Sequence, residues 1–137
     1  MGTAQTRHFR VRRLAILYLV VQGVAVFAWW ALLLLHPEAR EAFAASGAPE
    51  TTLLAFMPGD LIVYGAGSLL AAYGLAHGRA WGWAALCVNA GAGVYAALYG
   101  LALSLLGGGA WLGAVMMAPA LVVLPSLVWL LRPEKIK

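Results

Sequence analysis

Four long apolar runs, at residues 14–35, 60–76, 83–106 and 112–131, contain one charged side chain between them, Asp60. Each is close to or above the roughly 20 residues that an α-helix, rising about 1.5 Å per residue, needs to cross a hydrocarbon core. Lipid offers the backbone no hydrogen-bond partner, so such runs are read as helices that satisfy their own N–H and C=O groups. The expected fold is an all-α integral membrane protein. It is a single transmembrane domain over residues 1–137, a four-transmembrane-helix bundle with an outer loop at 36–59. Composition agrees, since 64% of the 137 residues are apolar, 10% are charged, and mean hydropathy is +0.86. An ordinary soluble domain carries far more charge.

The first run follows RHFRVRR and could be taken for a secretory signal, but at about 22 residues it exceeds the 7 to 15 of a signal's apolar region. It is expected to be retained. Arg7, Arg10, Arg12, Arg13, Arg79, Arg132, Lys135 and Lys137 fall on the side of the two termini and the 77–83 turn, leaving Arg40 for the other face. By the positive-inside rule both termini are cytoplasmic, in the cell (inner or plasma) membrane. The net charge of +4 is thereby accounted for by topology and attraction to anionic lipid. The partners expected are membrane lipids, with a homo-oligomer or a larger membrane complex beyond them, and no nucleic acid.

No cofactor or metal is expected. Cys87 is alone, so there is no disulfide framework or thiolate metal site. GAGVYA, 91–96, fits a dinucleotide-binding pattern by accident, since it follows no strand and lies within an apolar run. His8 and His77 are assigned to one face and His36 to the other, which prevents a joint metal site. No serine has triad partners.

The turns HGRAWGW and GGGAW are short and require antiparallel neighbours. The longer 36–59 loop holds Glu38, Glu41 and Glu50 and is followed at once by Asp60, so four of the five carboxylates are concentrated here. Its HPEAREAFAASG predicts a short outer-surface helix, started by Pro37 and closed at Ser46 and Gly47, that covers the mouth of the bundle. All six tryptophans lie toward the ends of the runs, the pattern of an interfacial belt.

The second run is the anomaly. From Asp60 to Ala76 it would span about 25 Å of a core about 30 Å thick. The preceding TTLLAFMPG can supply the difference, with Pro58 biasing Met57 away from helical geometry. A broken helix is therefore expected, with Asp60 at the N-terminus of the half-helix, capping backbone N–H groups. The alternative is an ordinary helix cap at the surface.

Asp60, Tyr64, Gly67, Ala71, Gly74 and Gly78 recur at steps of four and three. The third run carries a matching stripe, Gly82, Asn89, Gly93, Ala96 and Gly100. Small residues so spaced mark close helix approach in membranes. The two runs are expected to pack face to face.

Helical rise puts Gln22 about 12 Å and Asn89 about 9 Å from the inner ends of their runs, where with Ser68, Tyr73 and Ser126 they could form a polar layer. Tyr95 and Tyr99 reach the level of Asp60 and Tyr64, as do Met116 and Met117, with Trp29 and Trp30 not far off. The ligand-binding or ion-coupling candidates are therefore Asp60, Tyr64, Tyr95, Tyr99, Asn89 and Gln22, although each residue type also serves belt and packing roles. Pro119 and Pro125 should loosen the fourth helix. Three functions fit: a bundle binding a lipid-like or amphipathic molecule or acting as an accessory subunit, a small proton- or cation-coupled transporter using Asp60, and a lipid-modifying enzyme using Asp60 with tyrosine phenols.

Overall fold

The computed structural model describes residues 2–133, with side chains from residue 9 onward. Lys135, Lys137 and the side chains of Arg7 and His8 therefore lie outside the described residues. Helix α1 is Gly2–Leu35, followed by a 3-10 turn of helix at Pro37–Phe43. Then come α2 (Glu50–Leu54), α3 (Met57–Gly59), a π-helical segment (Asp60–Ala66) and α4 (Gly67–Ala76). Helices α5 (Ala80–Gly107) and α6 (Trp111–Leu130) complete the chain. Four spans are long and apolar enough to cross a membrane: Phe9–Leu35, Glu50–Ala76, Ala80–Gly107 and Trp111–Leu130.

The second span is not broken. Ala55 and Phe56 keep right-handed helical dihedrals through a tightened turn, in which Phe56 N–H donates to Leu53 O. Met57 is helical despite preceding Pro58. Pro58 falls in the first turn after the tightened one, where a missing N–H costs little. The expected half-helix terminus at Asp60 is thus corrected: Asp60 has φ −63° and ψ −47° and makes no capping bond. Counted from Glu50 to Ala76 the span has 27 residues, ample for a bilayer. Its real irregularity is the wide π turn from Asp60 to Ala66, a feature that recurs at functional positions in helices.

The spans pack in the order α1, α4 with its π segment, α5, α6; α1 and α6 meet only sparsely. The α4–α5 hairpin forms as its small-residue faces predict. A Cβ on Gly74 would stand 2.6 Å from Cα of Gly82, so the two backbones touch where neither residue has a side chain. The turn between them uses Gly78 at φ +64°, while Arg79 N–H donates to Gly74 O at 2.9 Å. The guanidinium of Arg12 closes the same helix end, bonding Leu75 O at 2.8 Å and Ala76 O at 3.1 Å. A cation on exposed C-terminal carbonyls is favourable for both the hydrogen bonds and the helix dipole.

The interior is a core of leucine and alanine side chains with four buried polar residues, Gln22, Ser68, Asn89 and Ser104, set into it, and the outside is apolar as well, with Ile62, Val88, Leu105 and Val122 exposed. An apolar outer face suits a bundle whose surroundings are hydrocarbon. Arg10, Arg12, Arg13, Arg79 and Arg132 occupy the end of the spans that carries the termini, and Arg40 the opposite, loop end.

At the loop end the expected short helix is the 3-10 turn Pro37–Phe43. The following residues lie against the α5–α6 turn, with Ser46 N–H donating to Gly108 O at 2.7 Å and Ala45 bridging Gly109. Gly109, at φ +78°, would meet Ala44 O at 3.0 Å with any Cβ. Arg40 fastens the loop from the other side: its Nε donates to Leu33 O at 2.7 Å, and its Nη1 pairs with Glu50. The exposed Glu38 carboxyl is held below the usual carboxylate range by its own backbone N–H and by the His36 ring.

Candidate functional site

Between α1 and α6, in the half of the bundle nearer the loop, the helices splay around a cavity of about 380 Å³. Toward the terminal end Ala15 and Leu19 of α1 and Leu127 and Leu131 at the end of α6 belong to one buried apolar cluster with residues of α4 and α5. The cavity's size falls at the lower end of the range for small-molecule pockets, about 300 to 1,000 Å³.

Its floor is a buried amide network. Asn89, fully buried on α5, donates through Nδ2 to Tyr64 O at 3.0 Å and Val63 O at 3.2 Å. These carbonyls sit in the π segment and can only accept, which fixes the orientation of the Asn89 amide and turns its Oδ1 toward α1. There Gln22 Nε2 donates to it at 3.1 Å and to Ser68 Oγ at 2.7 Å; Ser68 in turn donates to Tyr64 O at 2.5 Å. The second Gln22 donor position is thus spent as well, leaving Gln22 Oε1 buried with no hydrogen-bond partner among the described residues. Gln22 borders the cavity.

One wall comes from the second span, with Phe56, Asp60 and Tyr64 at successive steps of four along one side. Tyr64 is buried, and a Cβ on Gly93 would lie 2.7 Å from its ring, so the absence of a side chain there admits the phenol. The facing wall, from α1, includes Trp30, 2% exposed, whose indole N–H donates to Asp60 Oδ2 at 3.1 Å. Tyr99 of α5 packs on Phe56 with ring centroids 5.0 Å apart. Phe43 of the loop, set edge-on to Trp29 at 3.9 Å, borders the cavity beside them. On α6 the lining is Met116, Met117, Pro119 and Ala120, small or flexible groups.

Val21 and Met116 both line the cavity and are 59% and 56% exposed on the bundle surface. The opening therefore runs sideways between α1 and α6, toward whatever surrounds the bundle. Asp60 is the one charged residue among those lining the cavity, and it forms no ion pair among the described residues.

The structure gathers five of the six candidates. Asp60, Tyr64, Tyr99 and Gln22 border the cavity, and Asn89 lies beneath it. Tyr95 stands apart, 67% exposed on the outer face of α5. The expected polar layer keeps Gln22, Ser68 and Asn89 but loses two members. Ser126 is exposed and bonds Val122 O of its own helix; Tyr73 is exposed and packs against His77 and Trp81. Trp30, expected near the level of Asp60 but as part of the interfacial belt, turns inward and pairs with the carboxylate. Helical rise gave its level, and the hydrogen bond depends on the rotation of α1, which rise does not give.

No known protein family, curated protein or solved structure matches the chain.

Proposed function

We propose that this chain is a multi-pass protein of the cell membrane, with both termini cytoplasmic, that binds an amphipathic small molecule in the cavity between α1 and α6. The observation that carries this reading is the sideways opening at Val21 and Met116 onto an aromatic cavity bearing a single acid. A molecule dissolved in the bilayer reaches such an opening without leaving the hydrocarbon. Apolar walls with few polar points are what orient a small ligand. The arginine distribution supports the orientation, because five described arginines lie at the terminal end against Arg40 alone at the other.

Purification in a mild detergent followed by native mass spectrometry tests the proposal. The wild type is expected to retain a small-molecule adduct. Ala25→Trp, which places an indole at the opening, should lose the adduct while keeping the wild-type unfolding temperature. A wild type that carries nothing, and takes up nothing from added lipid extract, overturns it.

A second reading, a small proton- or cation-coupled transporter, draws on the unpaired Asp60 carboxylate at membrane depth. In proteoliposomes it requires pH-dependent flux that Asp60→Asn abolishes; flux unchanged by that substitution removes it.

A further inference from the structure

We infer that the molecule taken by this cavity is a hydrophobic monocation, an ammonium on an apolar body, with its charge at Asp60. The inference rests on the binding role proposed above and names the ligand class.

Three observations converge. Asp60 is half-buried, is the sole charged lining residue, and has no cationic partner among the described residues. A carboxylate in an apolar cavity is costly unless a positive charge stands near it. Secondly, aromatic rings surround it on several sides: Phe56 and Tyr64 one turn away on its own span, Trp30 in direct hydrogen bond, and Tyr99 packed on Phe56. Ring faces attract alkylammonium groups more than they attract neutral groups of equal shape, and more strongly where water is excluded. Thirdly, Trp30 occupies Oδ2 only, so the other carboxylate oxygen keeps its capacity to accept.

The cavity also excludes. None of its lining residues is basic, so a phosphate next to the ammonium would find no counter-charge. A free hydrophobic amine or quaternary ammonium therefore fits better than the headgroup of a zwitterionic lipid. The apolar body would extend past Met117 and Ala120 toward the floor at Gln22.

The test uses the full chain in a neutral maltoside detergent, with fluorescence of the lining tryptophans as readout and native mass spectrometry to count bound molecules. The probes are dodecyltrimethylammonium, the hydrocarbon in which its quaternary nitrogen is replaced by carbon, and dodecylphosphocholine. The ammonium is expected to bind at least about tenfold more tightly than its uncharged isostere. Asp60→Asn, which keeps an acceptor for Trp30, should erase that preference. Equal affinity of ammonium and isostere for the wild type overturns the inference and leaves the cavity reading standing. Binding of neither overturns both. Phosphocholine binding as tight as that of the plain ammonium overturns the monocation assignment, because the phosphate is then tolerated, and makes a zwitterionic lipid headgroup the ligand class. Because the wild-type ratio alone decides between charge and shape, the outcome does not depend on the variant folding.

Discussion

The indole N–H of Trp30 donates to Oδ2 of Asp60 across 3.1 Å, joining the end of α1 to the start of the π segment. Each group satisfies the other in the cavity wall, where Trp30 is buried and Asp60 half-buried. Removing the acceptor should therefore cost more than a surface substitution. Asp60→Leu leaves the buried indole donor unpaired and is expected to lower stability by about 1 to 3 kcal/mol, whereas Asp60→Asn should lie near wild type. Unfolding in dodecyl maltoside, followed by tryptophan fluorescence, measures both. Equal losses for the two variants would mean that the hydrogen bond contributes nothing.

The Gly74–Gly82 contact yields a second predicted destabilisation. A Cβ on Gly82 would fall 2.5 Å from the carbonyl carbon of Gly74, and backbone cannot move aside as a flexible side chain can. Gly82→Ala must separate α4 from α5, at a cost on the order of 1 to 3 kcal/mol. Gly91, on the same helix, has nothing within 4 Å of such a Cβ. Gly91→Ala should be neutral or stabilising by up to about 1 kcal/mol. Paired unfolding curves in mixed micelles distinguish the two sites.

Asn89 and Gln22 should behave as a coupled unit. Loss of Asn89 strips a partner from Gln22 and leaves Val63 O and Tyr64 O without its side-chain donor. Asn89→Leu is expected to cost about 1 to 2 kcal/mol, with roughly 0.6 kcal/mol of coupling to Gln22→Leu in a double-mutant cycle. Strictly additive losses would show that the two amides act independently.

Arg40 is the anchor of the loop that follows α1, through Leu33 O and Glu50. Most of its effect should come from the bond to the helix-end carbonyl, since its partner Glu50 is exposed and such a pair is worth little. Arg40→Gln should raise hydrogen exchange over 37–48 by about three- to tenfold, with exchange in α5 unchanged. A uniform rise along the whole chain would point instead to global destabilisation.

Which parts of this were legible from residue order follows from the range of the forces involved. The stripes from Asp60 to Gly78 and from Gly82 to Gly100 predicted that the two runs pack face to face, as they do at Gly74 and Gly82, because two faces of small residues joined by a short turn have one way to approach. The number of spans was equally plain. At Pro58 the local rule failed. Its bias against a helical Met57 gives way because a tightened turn at Ala55–Phe56 sets the proline in a first turn, where its missing N–H is not needed. Trp29 and Trp30 show the other limit. Both ends of an apolar span accept tryptophan, and a helix apolar all round carries no stripe to say which indole turns inward.

By itself the sequence determined that there are four apolar spans, which end gathers arginine and where glycine permits backbone contact. These follow from composition and from spacing within one helix. Only the tertiary structure decided that α1 and α6 part on the loop side of Leu19 and Leu127, that Trp30 rather than a backbone N–H faces Asp60, and that Tyr95 turns away while Tyr99 turns in. Those outcomes depend on the rotation of each helix about its own axis. In a bundle whose outer surface is as apolar as its core, rotation is fixed by the small-residue contacts and the Gln22–Ser68–Asn89 bonds between helices, and not by any amphipathic pattern within one of them.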